Sequence, residues 1–239
     1  AGLLDVVIVT PSHQYPLGGS LPLARRRQLL DWAARTGVVI VEDDYDSELR
    51  HTGSPLPALA ALDDPANGSV VLLGTFSKTV SQALSAGFLL APAGLRALIE
   101  PVRRDIGGPV PAVVQTALAS YLGSGALRRH TARMRRRYAL RRELVVERLL
   151  GLPGVQVRPM SGGLHAVVQF SGQDPAGIEH RVQEAAHQLG AVNLSGYWQR
   201  REPGAELFGL VIGTGGISSD EEFDRALRAL RAILSRELL

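Results

Sequence analysis

The residues Gly74-Thr-Phe-Ser-Lys78 follow directly on the apolar run Ser69–Leu73, and they decide how the rest of the chain is interpreted. Lys78 is the single lysine of the sequence, and the other 25 of the 26 basic residues are arginine. An arginine does not lose its proton in a protein, whereas a lysine can and then acts as a nucleophile. The sequence therefore indicates amine chemistry at the end of a strand, with chance survival of one lysine as the alternative.

Around this segment, apolar runs alternate with an amphipathic stretch. The stretch predicts a helix that has its N-cap at Ser20, runs to Thr36 and is ended by Gly37. Runs this apolar are typical of an α/β fold, in which a mostly parallel sheet has helices on both faces. The predicted strands are Leu4–Val9, Val38–Val41, Ser69–Leu73 and Gly87–Leu90.

The rest of the chain has two further sequence patterns, one helical and one of alternating short strands and helices. Residues 93–150 have a helical pattern that is broken at Pro109 and Pro111 and again at Gly123-Ser-Gly125. After Pro153, short strands and helices are typical of a smaller α+β domain. The predicted strands there are Val155–Val157, Leu164–Phe170, Ala191–Leu194 and Leu207–Ile212, and the predicted helices are Pro175–Leu189 and Ser218–Leu238. The predicted division is a large domain over residues 1–125, a connecting helix over 126–150 and the small domain over 151–239.

Composition excludes several classes of site. The chain has no cysteine, which excludes disulfides, thiolate metal sites and cysteine nucleophiles, and we predict no metal site. No apolar run reaches the roughly 18 uncharged residues of a membrane span, and the N-terminus lacks the features of a signal peptide. We therefore expect a cytoplasmic protein without membrane contact. Arginines concentrate between Arg128 and Arg148, where helical spacing of apolar residues favours a solvated helix face over a nucleic-acid surface.

Three of the predicted strands continue into polar segments. The first continues into residues 10–18, the second into Glu42-Asp-Asp-Tyr-Asp46 and the third into Gly74-Thr-Phe-Ser-Lys78. Open α/β sheets bind ligands at the carboxyl ends of their strands. We therefore expect these segments to lie close together in the folded chain, although they are far apart in sequence.

The segments contain the groups that one cofactor, pyridoxal 5′-phosphate, requires. It needs a lysine amine for an imine, a carboxylate that keeps its ring nitrogen protonated, hydroxyls for its phosphate and a partner for its phenolic oxygen. Asp43 and Tyr45 leave extended backbone on the same face, which favours Asp43 over Asp44 as the carboxylate. A solvated strand end and a magnesium site are the alternatives for the acidic residues. The candidate cofactor residues are Asp43, Tyr45, Thr75, Ser77 and Lys78.

The motifs together resemble a known family. Asp43-x-Tyr45, followed by Ser77-Lys78, resembles the fold-type-I aminotransferases that depend on pyridoxal phosphate. The full set resembles the C-terminal effector domain of MocR-type regulators, which join a winged helix-turn-helix of the GntR class to an aminotransferase-like domain. The motifs are Thr10-Pro-Ser-His-Gln-Tyr-Pro16, Glu42-Asp-Asp-Tyr-Asp-Ser-Glu48, Pro55-Leu-Pro-Ala-Leu59, Gly74-Thr-Phe-Ser-Lys78, His130-x-x-x-Met134 and Gly163-Leu-His165.

The resemblance implies a role for each candidate residue. By it, Lys78 forms an internal aldimine, Asp43 pairs with the pyridinium nitrogen, Tyr45 contacts the phenolic oxygen, and Thr75 and Ser77 surround the phosphate. It also implies a module that senses a small amine or amino-acid-like effector and forms a homodimer. DNA contact is then expected only through an N-terminal domain that lies outside these residues.

The chain departs from the family pattern at three places. Ser85 stands where the family has an arginine for the cofactor phosphate, and a dianion without that arginine loses its strongest charge partner. Arg25, Arg26 and Arg50 are the candidates to replace it. Gly216 stands where family members that recognise an amino acid have an arginine for its carboxylate. The family also has an upstream part of the large domain, with the phosphate loop and the aromatic that stacks on the ring, before the first strand found here.

Two alternatives to a regulatory module stay open. The first is a class I/II aminotransferase enzyme, which Ser12-His-Gln-Tyr-Pro16 disfavours because such enzymes usually have Asn-Pro-x-Gly there. The second is a truncated remnant that binds no cofactor. His13 and His165 are candidate substrate-contacting residues, and the alternative for each is a packed or capping histidine.

Overall fold

The computed structural model describes residues 4–50, 52–53, 56–198, 206–216 and 219–238. The chain divides into two compact units. Residues 1–15 and 19–134 form the first unit, and residues 16–18 and 135–239 form the second. The predicted division at residues 125 and 150 stays a prediction.

The first unit contains a four-stranded sheet that is mostly parallel, as predicted. The strands β1 to β3 are parallel to one another, and β4 is antiparallel to β3. The second and third strands extend further than the apolar runs predicted, because their pairing continues through Asp44 and Gly74 into polar sequence. In their order across the sheet, the strands are β1 (Val6–Val9), β2 (Val39–Asp44), β3 (Val70–Thr75) and β4 (Gly87–Leu90).

Two helices, α1 (Leu23–Thr36) and α2 (Leu59–Leu62), contribute to the buried core on one face of this sheet. Gly37 ends α1 as predicted, with a left-handed φ of 75° that glycine adopts without steric cost. The predicted N-cap at Ser20 is wrong. The N–H of Leu21 donates to the Pro11 carbonyl, which keeps this segment outside the helix. The core residues on this face are Val7, Val9, Leu29, Leu30, Trp32, Ala33, Ile40, Leu59, Ala60 and Val70.

The opposite face of the sheet has accessible apolar side chains beside Val71, which is buried. Ile8 in β1 is 71% exposed, and Leu73 and Leu89 in the neighbouring strands are 38% and 40% exposed. Strand pairing places Leu73 opposite Leu89, so these side chains lie on one face. None of the described residues on this face belongs to the core that α1 and α2 form.

Three helices follow the sheet: α3 (Ala93–Asp105), α4 (Ala112–Gly123) and α5 (Ala126–Leu149). They confirm the predicted breaks at Pro109–Pro111 and Gly123–Gly125. Neither α3 nor α4 contains a buried residue. No helix in the described part of the chain is long and apolar enough to span a membrane.

The second unit confirms the predicted α+β pattern. Its four strands form an antiparallel sheet, and α6 (Pro175–Ala186) and α7 (Asp220–Glu237) pack on it together with the end of α5. The predicted start of α7 at Ser218 lies outside the described residues, and Ser219 caps the helix by accepting from the Glu222 N–H. In their order across the sheet, the strands are β5 (Val155–Val157), β6 (His165–Phe170), β8 (Phe208–Gly213) and β7 (Val192–Asn193).

Candidate functional site

The three polar segments begin side by side at the carboxyl ends of the strands in the sheet of the first unit. Asp44 pairs with Gly74, so the acidic segment and the segment that leads to Lys78 leave adjacent parallel strands. Val9, at the end of β1, pairs with Glu42. The structure thus brings these segments together at the carboxyl ends of parallel strands, where ligands of open α/β sheets bind.

The two candidate carboxylates differ in what they contact. Asp44 accepts hydrogen bonds from the Ser47 hydroxyl at 2.6 Å and the Ser47 N–H at 3.3 Å, so it is used within its own turn. Asp43 receives no hydrogen bond from the described residues. Burial, and then the charge of Asp46, raises the pKa of Asp43 above its ordinary value. A half-buried carboxylate without a described donor is suited to receive a proton-bearing ring nitrogen.

Tyr45 and His13 connect the segments after β2 and β1. The Tyr45 hydroxyl donates to the His13 carbonyl at 2.9 Å, and His13 Nδ1 lies 2.7 Å from Asp46 Oδ2. Both His13 and Asp46 are buried, and the rings of His13 and Tyr45 are stacked with centroids 6.0 Å apart. Burial raises the pKa of Tyr45, so its hydroxyl keeps its proton. In this arrangement His13 packs and positions Tyr45, which favours the alternative to a substrate-contacting role.

Lys78 lies in the turn that follows β3, and its side chain is exposed. Thr75 and Ser77 shape this turn, because the Thr75 hydroxyl accepts from the Ser77 N–H at 3.1 Å. The buried Thr79 donates its hydroxyl proton to the Thr75 carbonyl at 3.3 Å. The turn therefore has an internal framework that presents the lysine at the end of its strand.

Two buried charged residues beside this edge are structural, and sequence analysis missed them. Glu42 is fully buried and accepts from the N–H groups of Leu59 and Ala60 at the start of α2. Burial raises the pKa of Glu42 and lowers the pKa of Arg26, which is also fully buried. Pattern alone could not reveal the burial of Arg26, since two of the three carbonyls that it binds are 15 and 31 residues away in sequence. Those carbonyls belong to Pro11, Leu21 and Pro57.

Three arginines were candidates to bind the cofactor phosphate in place of the arginine that Ser85 replaces, and their contacts distinguish them. Arg26 is the wrong candidate, because three carbonyls already occupy its guanidinium group. Arg25 donates to the Gln28 side chain and Arg50 to the Thr52 carbonyl, both close by in sequence. Ser85 itself has a φ of 43° and is the one non-glycine residue with positive φ in the described ranges. A short neutral side chain therefore stands at that position, in a left-handed backbone conformation.

In the second unit, His165 is buried in β6, and its Nε2 lies 2.8 Å from the Pro16 carbonyl oxygen. Gly216 lies in the turn after β8. The histidine contacts a backbone carbonyl, which favours its alternative interpretation as a packed residue. No arginine lies in the described segment 206–216 that contains Gly216.

Arg141 is a further residue that sequence analysis placed wrongly, on a solvated helix face. It is 2% exposed, and its guanidinium donates to the carbonyls of Thr214 and Ser219 and to the Asp220 carboxylate. Its spacing from Tyr138 and Val145 did carry a signal, because residues three and four apart share a helix face. Arg141 thus fixes the segment between β8 and α7.

Comparison with known proteins gives matches along most of the chain. Residues 3–195 match the family described as Aminotransferase class I and II. The HTH-type pyridoxine biosynthesis transcriptional regulator PdxR of Corynebacterium glutamicum is 45% identical over 219 residues, which cover 92% of this chain and 46% of that protein. The probable rhizopine catabolism regulatory protein MocR of Rhizobium meliloti is 33% identical over 214 residues, which cover 89% of this chain and 42% of that protein. The chain spans about half the length of these curated relatives.

A solved structure extends the likeness to an enzyme. LysN, the α-aminoadipate aminotransferase of Thermus thermophilus, matches with a TM-score of 0.79 and 25% identity. The match covers 97% of this chain and 59% of LysN. That crystal structure contains N-(5′-phosphopyridoxyl)-L-leucine.

Proposed function

The chain belongs to the aminotransferase class I and II family, and from this we propose that it binds pyridoxal 5′-phosphate as the effector-sensing module of a MocR-type transcriptional regulator. One observation carries the proposal. Asp43 lies near the carboxyl end of β2, and the turn that holds Lys78 follows the adjacent parallel strand β3 at the same end of the sheet. The cofactor, when bound, supplies an electron-withdrawing ring and an aldehyde that reacts with amines.

The residues present fit this cofactor in most respects. Lys78 would attach it covalently through its exposed amine, and Asp43 would hold the proton on the ring nitrogen. The hydroxyls of Thr75 and Ser77 would bind the phosphate, without the arginine that Ser85 replaces. Because a charged partner is absent at that position, we propose that the cofactor is held less tightly than in family members that have the arginine.

Tyr45 would orient the cofactor's phenolic oxygen in an unusual way. Its single proton is donated to the His13 carbonyl, so the oxygen of Tyr45 has only lone pairs left for a ligand. It would therefore accept a hydrogen bond unless the contact with His13 opens. Asp46 supports this arrangement through its contact with the His13 ring.

The regulatory part of the proposal rests on the relatives. Two relatives that cover about nine tenths of this chain are named as regulators. The effector would be a small amine or an amino-acid-like molecule, since the cofactor's aldehyde reacts with amines. Gly216 removes one donor for a carboxylate, which favours an amine without an α-carboxylate. Assembly as a homodimer and DNA contact through another domain are parts of the same proposal.

Covalent trapping tests the cofactor site directly. The purified chain is incubated with pyridoxal phosphate, reduced with borohydride and digested, and the labelled peptide is identified by mass spectrometry. We expect the label on the peptide that contains Lys78 and its loss in Lys78→Arg, which keeps the charge but cannot form an imine. A label that persists in Lys78→Arg on another residue, with the N-terminal amine blocked, would show that the assignment is wrong.

A class I/II aminotransferase is the second candidate, favoured by the likeness to LysN. It predicts turnover of an amino donor with a 2-oxo acid, measured by following product formation. Binding of an amine without turnover, across a panel of donors, would support the sensing module instead.

A further inference from the structure

One long segment of the chain is basic and contains no acidic residue. Residues 106–142 have eight arginines and no aspartate or glutamate, whereas the whole chain has 26 basic and 23 acidic residues. The rest of the chain therefore has 18 basic and 23 acidic residues, a formal net charge of −5, against +8 for this segment. Such a separation of charge along a chain indicates an anionic partner for the basic segment.

Five of these arginines form one exposed face of α5. Because α5 is one continuous helix, their positions follow from helix geometry alone. Arg129, Arg133 and Arg136 follow one another at spacings of four and three residues, and the other two, seven residues apart, lie in the row beside them. Arg136 lies opposite the buried Val145, since nine residues are two and a half turns of a helix. The basic face consists of Arg128, Arg129, Arg133, Arg135 and Arg136.

The basic face has no carboxylate to neutralise it. Within the described residues, none of its five side chains forms an ion pair. Arg129 donates to the Ser124 carbonyl at 3.2 Å, and an Arg133 nitrogen lies 3.1 Å from His130 Nδ1. A guanidinium group has five N–H donors, so each side chain of the basic face retains donors for an oxyanion.

The residue types around the basic face favour the backbone of a nucleic-acid duplex as the partner. Residues 126–136 contain no Phe, Tyr or Trp on which unpaired bases could stack. None of their large apolar side chains is exposed, so this part of α5 has nothing to insert into a membrane. The face extends about 12 Å along the helix, a length over which duplex DNA carries roughly seven phosphate charges. A duplex therefore offers enough acceptors for five guanidinium groups.

We propose that the basic face of α5 binds the phosphate backbone of duplex DNA without reading its sequence. The choice of DNA rests on the proposed regulatory function, to which it adds a contact made by the aminotransferase-like chain itself. This contact supplements the one expected of another domain. It uses exposed arginines, so it agrees with the solvated helix face that the sequence indicated. Phosphate contacts position a protein on DNA and carry no sequence information directly.

Fluorescence anisotropy of a labelled DNA duplex of arbitrary sequence tests the proposal. The 239-residue chain is added without pyridoxal phosphate at a series of salt concentrations. We expect binding that weakens steeply with salt, because contacts with phosphates release counterions. Replacement of Arg129, Arg133 and Arg136 together by Gln should weaken binding at low salt by about tenfold or more. It should also reduce the slope of log K against log salt by about 2.7, since each contact contributes about 0.9.

Three arginines of α7 provide the matched control. Arg225, Arg228 and Arg236 are also exposed, but Arg228 pairs with Asp224 and Arg236 with Glu237. Their joint replacement by Gln removes the same charge and should leave the affinity and the salt slope nearly unchanged. Equal weakening in the two triple variants would show that binding follows net charge, and would overturn the proposal. Circular dichroism of both variants shows whether they are folded.

A charge-retaining variant and a second ligand complete the test. Lysine at positions 129, 133 and 136 keeps the charge and should retain most of the binding, and its failure to do so would contradict a contact through phosphate charge. Absence of duplex binding by the parent chain at low salt would overturn the proposal. Binding to vesicles of anionic phospholipid in place of the duplex would assign the face to a membrane and overturn it too.

The result is separable from that of the cofactor experiment. Lys78→Arg cannot form an imine but should bind the duplex as the parent chain does, because the two sites share no residue. Loss of covalent trapping with DNA binding retained would contradict the proposed cofactor site alone. Trapping at Lys78 without DNA binding would contradict this inference alone.

Discussion

The two units of this chain each contain a four-stranded sheet, yet they bury their apolar residues differently. In the second unit, one sheet face packs on α5, α6 and α7, and the other is covered around Met160 and Leu194. In the first unit, the buried core lies on one face, while β1 and α3 leave large apolar side chains accessible. The second unit thus buries apolar residues on both faces of its sheet, whereas the first leaves large apolar side chains accessible on one face.

The difference matters for function, because the proposed cofactor residues all lie in the less buried unit. Asp43 is on the accessible face of the first unit's sheet, as its partner Leu73 is, and Lys78 is in an exposed turn. A ligand site beside an uncovered face can be completed, and thereby regulated, by whatever covers that face. The second unit instead contains buried residues with several hydrogen bonds, such as Arg141, which stabilise the fold.

The largest expected effect compares one apolar truncation in each unit. Phe223→Ala should destabilise the second unit by about 3–5 kcal/mol, because it opens a cavity in a closed core. Ile8→Ala should change the first unit by less than about 0.5 kcal/mol, since its side chain is already in water. Trp32 and Trp198 report on the first and second units respectively, so urea unfolding of single-tryptophan variants measures each. A large loss of stability in Ile8→Ala would contradict this difference between the two units.

The next effect concerns the arginines that bind Asp220. Arg141→Leu should destabilise the second unit by about 2–4 kcal/mol, because it leaves the Thr214 and Ser219 carbonyls without their donor. Arg137→Leu is the matched control, as Arg137 contacts the same carboxylate from a more exposed position. It should cost less than about 1 kcal/mol, as surface ion pairs do. Chemical denaturation of both variants checks this, and equal losses would mean that burial of Arg141 has no energetic role.

Much of this architecture could be predicted from the sequence. The aminotransferase family and fold type are confirmed, and so are the four strands of each sheet and the end of α1 at Gly37. These features depend on apolar periodicity, glycine and motifs, which are local in sequence. The partners of Arg26 and Arg141 could not be predicted, because they include carbonyls far away along the chain, although helical spacing from Val145 carried a signal for the burial of Arg141.

The accessible face of the first unit's sheet illustrates the other limit of sequence analysis. The apolar run of β1 predicted a strand covered on both faces, whereas Val6 and Ile8 are 50% and 71% exposed. The Asp43 preference followed from alternation, and the hydrogen bonds of Asp44 to Ser47 support it. The role of Asp43 itself stays a prediction.

A substitution that should strengthen cofactor binding tests the proposed site at the carboxyl ends of the strands in the first unit. Ser85→Arg should tighten pyridoxal phosphate binding tenfold to about a hundredfold, since a charge-assisted contact to phosphate contributes about 1.5–3 kcal/mol. Ser85 already has a left-handed φ of 43°, so the arginine adopts a conformation that this backbone tolerates. Absorbance titration measures the change, with Ser85→Lys and Ser85→Gln as controls for charge and size. Unchanged affinity in Ser85→Arg would mean that residue 85 does not reach the phosphate.

The smallest expected effect is a stability gain in the first unit at the cost of its proposed function. Burial raises the pKa of Asp43 above its ordinary value of 3.8, so the folded state favours the protonated carboxyl. The folded state then binds more protons than the unfolded state as pH rises past 3.8, and stability falls over that range. Asp43→Asn removes this one titration, so the first unit should be slightly more stable at neutral pH and its slope should become shallower. Part of the slope remains, because burial also raises the pKa values of Glu42, Asp44 and Glu48. The same variant should weaken cofactor binding, because an amide does not hold the ring nitrogen protonated.

Asp44→Asn is the matched control. Because Ser47 donates to its carboxylate, it should lose stability in the turn and leave cofactor binding nearly unchanged. Unfolding followed at Trp32 between pH 4 and 8, together with absorbance titration, measures both properties, and identical behaviour of the two variants would contradict the assignment of Asp43.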